Sequence, residues 1–305
     1  MRTLRKILIV GFGDIGERVA RALRRHRCSR YRISALVRSA DAARRAKMFG
    51  LRPVRGDLGR LQSLTQLAGI ADVVFHFAPP PSTGKFDTHT RHLLEALQRP
   101  INRAGMLTRH PPRKFIYIST TGVYGDCGGA WVDESQRVRP ATDRARRRVD
   151  AERQLRAWGI ERAVDVTILR APGIYAAERL PLERLRKGTP ALIAQEDVFT
   201  NHIHVDDLAA AAIAAMRSTK SLRIYNVVDD SAMTMGEYFE RVADAFELPR
   251  PPRISRNEAA TRLSPALLSF MGESRRVRNT RIKRELGFRF RYPTVDAFLR
   301  EMKRN

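Results

Sequence analysis

The stretch "KILIVGFGDIG", residues 6–16, decides the fold. Its first half is a continuous β-branched and apolar run, as a strand buried on both faces requires. Gly11, Gly13 and Gly16 follow at the mouth of an amphipathic segment, "DIGERVARALRRH" (14–26). A lone G-x-G-x-x-G says little, but between a strand and a helix it gains meaning. Gly11 permits the tight turn, Gly13 lets a pyrophosphate approach the backbone, and Gly16 lets the helix pack on the strand. Phosphates would then meet the free N–H groups of Asp14, Ile15 and Gly16 at the positive helix end. The plainer alternative is a merely tight strand-to-helix turn; the flanking pattern favours a dinucleotide.

The same rhythm continues outward. "YRISALV" (31–37), "RPVRGD" (52–57), "ADVVFHFA" (71–78), "RKFIYIST" (113–120) and "AVDVTILR" (163–170) read as further strands. "FDTHTRHLLEALQR" (86–99) is one of the helices between them. Such alternation implies right-handed crossovers and a parallel sheet, so the expected fold class is α/β, a Rossmann-type doubly wound sheet. Near residue 173 the rhythm breaks into shorter pieces, "RIYNVV" (223–228), "TMGEYFERVADAF" (234–246) and "DAFLREM" (296–302). The expected domains are 1–172 for the NAD(P)-binding part and 173–305 for a smaller substrate lobe, with some later segments able to return to the first.

Bulk composition narrows the function. Nothing approaches the apolar length of a membrane span, and the basic start "MRTLRK" leads into a strand rather than a cleavage site. Two distant cysteines, Cys28 and Cys127, fit a reducing cytoplasm and carry no metal spacing. Cys127, in "GDCGG", reads as a plain loop cysteine rather than a reactive thiol. The net charge is +25, from 57 Lys and Arg against 32 Asp and Glu. Those charges are spread along the chain without interleaved aromatics, which argues for solvated faces and against a nucleic-acid interface.

The second strand is followed by "LVRSADAARR". A ribose 2′-hydroxyl calls for an acid at this place and a 2′-phosphate for an arginine. Arg38 stands there, with Arg44 and Arg45 one to two turns on, so NADP is expected ahead of NAD. Asp41 is the residue that would reverse the preference.

At "VVFHFAPPP", "YISTTGVYG", "ILRAPGIY", "HIHVDDLA" and "RELGFRFRYPT" the chain resembles the extended short-chain dehydrogenase/reductase family, the NAD(P)-dependent epimerases, dehydratases and reductases. It is most similar to the atypical branch, which keeps the fold and loses catalytic residues. The resemblance implies that Asp57, beside Leu58, contacts the adenine amino group, and that Phe77, Ala78 and Pro79 border the cofactor. It implies that Thr120 holds a substrate oxygen and that Pro172 and Gly173 lie against the nicotinamide. A homodimer and a polar or anionic small-molecule substrate, such as a nucleotide sugar, are further implications. "HIHVDD" would align His202, His204 and Asp206 on one face of a strand, a metal-like spacing. The apolar run after it instead makes Asp206 or Asp207 a helix cap, so no metal is expected.

Two departures matter. The family spaces its glycines G-x-x-G-x-x-G, whereas position 10 is Val10. The family also carries Y-x-x-x-K, with glutamate four residues on. Counting back from Glu152, Arg148 holds the lysine place and Arg144 the tyrosine place. Arg148 could keep a ribose contact, but a guanidinium exchanges no proton at neutral pH. Arg144 could clamp a carboxylate or phosphate bidentately. The neighbouring Arg146 and Arg147 are expected to face water, and Tyr124 is the candidate replacement acid–base group. A non-catalytic NAD(P)-binding sensor is the alternative function.

Overall fold

The computed structural model describes residues 5–25, 31–98 and 110–304. His26, Cys28 and Arg99, which the sequence reading included, lie outside them. The chain divides into two compact units: Met1–Val123, Pro140–Arg170 and Leu208–Tyr225 form the first, and Tyr124–Arg139, Ala171–Asp207 and Asn226–Asn305 the second.

In unit 1 the strands are β1 (Arg5–Val10), β2 (Tyr31–Val37), β3 (Arg52–Arg55), β4 (Val73–His76), β5 (Lys114–Thr120), β7 (Asp165–Ala171) and β12 (Arg223–Asn226), numbered in chain order. Its helices are α1 (Asp14–Arg25), α2 (Ala40–Met48), α3 (Thr88–Gln98), α4 (Asp143–Arg162) and α6, which starts at Val205 and ends at Arg217. The strands make one seven-stranded sheet in the order β12-β7-β5-β4-β1-β2-β3. β1 pairs in parallel with β2 on one side and β4 on the other. The winding reverses there, and open α/β sheets bind ligands at the carboxyl ends of strands flanking such a point. β12 closes the far edge of this sheet, which is why Leu208–Tyr225 groups with the first unit although it follows residue 173.

Continuous apolar strands bury both faces: Ile7, Leu8, Ile9 and Val10 are all inaccessible. Leu8, Val10, Val74, Phe115 and Tyr117 pack with Leu93, Leu97, Leu155 and Trp158 from α3 and α4. Thr142 caps α4 by accepting from the Ala145 amide, and Ala163 ends the helix in the left-handed region at φ 52°. Asp87 caps α3, its Oδ1 accepting from the Thr90 amide at 2.9 Å.

One ion pair is fully enclosed. Arg170, on β7, donates from Nε and Nη2 to the two oxygens of Glu152, on α4, at 3.1 and 2.7 Å. The Ser119 hydroxyl donates to the same carboxylate at 2.6 Å. The pair ties α4 to the sheet, and so fixes the helix that carries the arginine run.

Unit 2 consists of short pieces: β6 (Trp131–Val132), β8 (Gly173–Tyr175), α5 (Leu182–Arg186), β9 (Ala191–Leu192), β10 (Phe199–Thr200), β11 (His202–His204), β13 (Met233–Thr234), α7 (Met235–Ala245), β14 (Arg253–Ile254), α8 (Arg256–Arg262), α9 (Pro265–Phe270), β15 (Arg276–Val277), α10 (Thr280–Leu286) and α11 (Val295–Arg304). Four two-stranded pairings hold them: β8 with β11, β10 with β13, β9 with β14 and β6 with β15. Thr234 and Glu237 form a reciprocal capping box at the start of α7. Tyr175, Tyr238, Phe239, Val295 and Phe298 form its core.

Removing one partner of the enclosed pair strands a charge in a low-dielectric interior. Glu152→Ala should therefore cost about 3–5 kcal/mol, while replacing both partners by apolar residues of similar volume should cost much less. Urea unfolding of the two variants checks this; equal losses would mean that the stranded charge is not the cause.

Candidate functional site: the carboxyl edge of the parallel sheet

The glycine turn is built as its spacing requires. Gly11 has φ +91°, and a Cβ there would lie 2.4 Å from the Ala78 amide nitrogen and 2.7 Å from the Phe77 carbonyl carbon. Both amides, of Phe77 and Ala78, donate to the Val10 carbonyl, at 2.7 and 3.1 Å. The ends of β1 and β4 are thus pinned together where Phe77, Ala78 and Pro79 were expected to border a cofactor. At Gly16 a Cβ would meet the Gly11 carbonyl oxygen at 2.8 Å. Gly13 differs, because nothing lies within 4 Å of its missing Cβ. It is exposed, directly before the first turn of α1.

The first amide bonded along α1 is that of Glu17, donating to the Gly13 carbonyl at 2.8 Å. The N–H groups of Asp14, Ile15 and Gly16 therefore end the helix without intrahelical acceptors, as an anion site requires. The Asp14 carboxylate, which would oppose an anion, accepts from Arg18 Nε at 2.7 Å. Arg45 donates to the Phe12 carbonyl at 2.9 Å and pairs with Glu17 at 2.7 Å. Arg45, expected near a 2′-phosphate, thus braces the glycine turn. This open cradle at a helix start, with its acid paired to Arg18, fits a diphosphate.

Arg38 leaves β2 exposed, and Ser39 after it caps α2. Asp41 lies on α2, paired with Arg44. Both side chains of that pair stay largely exposed. The Gly56 amide donates to the Val37 carbonyl at 3.1 Å, joining the ends of β3 and β2. Asp57 Oδ1 accepts from the Gly59 amide, and Leu58 is buried in the core. Leu58 also offers its carbonyl to His92 Nδ1 at 2.7 Å.

On α4 the four arginines part ways. Arg144 and Arg146 are exposed, and Arg146 pairs with Asp143. Arg148 donates from Nη1 to the Tyr117 hydroxyl at 3.0 Å and to the Ile118 carbonyl at 2.8 Å. Arg147, expected to face water, is instead 7% exposed and donates to the Gly84 carbonyl. The correction has a geometric cause: positions three and four apart share a face, so Arg147 falls in line with the buried Ala151, four residues on, as Arg148 does with Ala151 and Glu152. Near Arg148 lies a chain the sequence reading missed: His76 Nε2 to Thr90 Oγ1 at 3.1 Å, then Thr90 Oγ1 to Asp87 Oδ2 at 3.0 Å. Burial first, then the Arg148 charge and His89, hold His76 down to about 3. A histidine inside an apolar strand run, followed by "DTHT", was the available signal.

Thr120 ends β5 half-buried, its Oγ1 accepting from the Gly122 amide at 3.1 Å. Tyr124, in unit 2, is completely buried, and its hydroxyl donates to Asn226 Oδ1 at 2.7 Å. Asn226 in turn takes Glu134 Oε1 on its amide and gives Nδ2 to the Arg278 carbonyl. Cys127 is partly buried, and that burial raises its thiol. Gly173 pairs with His202 in the β8–β11 ladder, and Pro172 precedes it half-buried.

"HIHVDD" is split between two elements. His202 and His204 lie on β11, but the helix α6 begins at Val205, so Asp206 is not on the strand face. Neither aspartate caps α6 as expected. His204 Nδ1 accepts from the Asp206 amide at 3.2 Å, while Asp207 accepts from the amides of Arg291 and Tyr292. His202 stacks on Tyr238 at 4.2 Å, and burial lowers it to about 3.

With this geometry in view, the comparisons are direct. The model of the NAD dependent epimerase/dehydratase family matches residues 7–228. The chain belongs to that family. A conserved protein of unknown function from Silicibacter pomeroyi DSS is 30% identical, with TM-score 0.79 and 98% of each chain covered. The UDP-glucuronic acid 4-epimerase of Bacillus cereus, solved with NAD, is 17% identical at TM-score 0.72, covering 96% of this chain and 94% of that one. The UDP-glucose 4-epimerase of Thermotoga maritima, solved with UDP-glucose, is 17% identical at TM-score 0.73, covering 98% and 99%. A comparison with curated proteins finds no match.

Asp229, in unit 2, gives this family member a measurable pH dependence. Burial, opposed by hydrogen bonds from Ser231, raises its carboxyl from 3.8 to about 8. The folded state then holds a proton that the unfolded chain releases, so this group's stabilisation is full below pH 3.8 and lost as pH rises toward about 8. His76 and His202 act oppositely and only below 6.5. Above 6.5, stability should therefore fall toward pH 8, and Asp229→Asn should flatten the fall. Urea midpoints across that interval test it; an unchanged slope in the variant removes Asp229 as the cause.

Proposed function

We propose that this protein binds NADP along the carboxyl edge of the unit 1 sheet and acts on a polar, anionic small molecule of the nucleotide-sugar class. The observation that carries the reading is the cradle before α1: an open Gly13 at the helix start, where the first intrahelical bond is that of Glu17, and an Asp14 paired with Arg18. Arg38, exposed directly after β2, is the residue that would select the 2′-phosphate. Asp57, Leu58, Phe77, Ala78 and Pro79 follow the cofactor along the strand ends.

The bound dinucleotide would supply hydride exchange at nicotinamide C4. The protein's share is positioning and charge. Thr120 offers a hydroxyl to a substrate oxygen, and Arg148, fixed by Tyr117 and Ile118, supplies a permanent positive charge where the family has lysine. Arg144, exposed one turn earlier, suits a carboxylate or phosphate. Unit 2 also presents Trp131 beside the guanidiniums of Arg276 and Arg278, at 5.3 and 5.2 Å, a surface suited to an anionic nucleotide.

One observation favours a second reading, a cofactor-binding protein without turnover. The Tyr124 hydroxyl is given to Asn226 in a closed interior, so it serves the turn rather than a substrate. NADPH oxidation against a panel of ketones, aldehydes and nucleotide sugars separates the two. Turnover that survives Tyr124→Phe places the proton elsewhere; turnover abolished by it restores Tyr124 as the acid–base group.

Binding itself is tested without activity. At a hundredfold excess over Kd, NADP should stabilise the protein by about 2–3 kcal/mol. Gly13→Val should fold normally, because its side chain enters open space, yet lose that stabilisation. Arg38→Ala should weaken NADP by about tenfold and leave NAD unchanged. If neither dinucleotide shifts the melting temperature of the unaltered protein, the proposal fails.

A further inference from the structure

The opposite edge of the same sheet holds a second concave surface that the dinucleotide reading leaves unused. A cavity of about 530 Å³ is lined by Lys6, Arg32, Ser34, Arg52 and Arg113, with Asp72 its one acid. These residues come from the amino ends of β1, β2 and β3 and from just before β4 and β5. Register explains the grouping. Lys6 is paired with Arg32 and Ser34 with Arg52, so with two-residue alternation their side chains share one face. Like charges directly opposite on neighbouring strands repel. Asp72 offsets one of these charges, its Oδ2 also accepting from the Lys6 backbone amide at 2.8 Å, which leaves an excess of positive charge on the face. Among the described residues, the side chains of Lys6, Arg32, Arg52 and Arg113 make no ion pair or hydrogen bond.

We infer that this cavity binds an oligophosphate anion. Three guanidiniums and an ammonium on a concave floor match several adjacent phosphoryl groups, which arginine engages in pairs of hydrogen bonds. Among the described residues no Phe, Tyr or Trp lines it, so the phosphates rather than a base are read. Its volume is that of a small-ligand site. The charge that looks dispersed along the chain is here collected by the sheet. The site is independent of the dinucleotide edge, which lies at the other ends of β1 and β4.

Tripolyphosphate titrated calorimetrically, at fixed ionic strength, is the test. Tight one-to-one binding is expected, undiminished by saturating NADP. Arg32→Glu/Arg52→Glu should weaken it by about tenfold or more. Arg153→Glu/Arg156→Glu, the same charge change on exposed positions of α4, should not. Arg32→Gln/Arg52→Gln, which keeps size and relieves repulsion, should fold and also lose affinity. Adenosine triphosphate binding as tightly as tripolyphosphate supports recognition of the phosphate chain alone; tighter binding makes the ligand a nucleoside polyphosphate. Displacement by NADP, equal weakening in both Glu variants, or stronger capture of duplex DNA through Arg32 and Arg52 would each overturn the inference.

Discussion

The contact on which unit 1 depends is between two stretches of backbone. Gly11 turns with φ +91° where any Cβ would overlap the chain at Phe77 and Ala78. Only glycine meets both demands, because it lacks the atom that would clash and tolerates the left-handed region. The close approach lets the Phe77 and Ala78 amides share the Val10 carbonyl. It therefore sets the spacing of β1 and β4 at the point where the winding reverses. The start of α1, directly after the turn, is placed from that one contact.

The fold was legible because it rests on local rules: apolar runs make buried strands, and glycines mark the crossover. "KILIVG", "YRISALV" and "RKFIYIST" became β1, β2 and β5 within a residue or two at either end. The division into units was less legible. No local pattern tells that "SLRIYNVV" returns to the edge of a sheet laid down early in the chain, since strand pairing depends on tertiary neighbours.

Side-chain fates on α4 show the other limit. Spacing told that Arg144 and Arg148 share a face, but not how wide the covered face is. The loop carrying Gly84 meets α4 at Arg147, so that side chain donates to a carbonyl instead of water. "HIHVDD" misleads for a related reason. Alternation predicts one face only while the strand lasts, and here a helix begins after His204, which itself caps the new element. Arg45 is legible as a cation near the turn; that it holds the Phe12 carbonyl is not.

Charge links the two edges of the sheet. At the carboxyl edge, arginines are committed to structure: Arg45 to the glycine turn, Arg148 to β5, and Arg170 to Glu152. Each is held in place by a fixed hydrogen bond, so its position is set by the fold while its charge remains. At the amino edge Arg32 stands in register with Lys6, and among the described residues neither side chain has an ion pair or hydrogen bond. A net charge of +25 is thus no single property of this molecule. Where a guanidinium finds a carbonyl or carboxylate it stiffens the fold, and where it faces its own kind it stores repulsion that a polyanion would release.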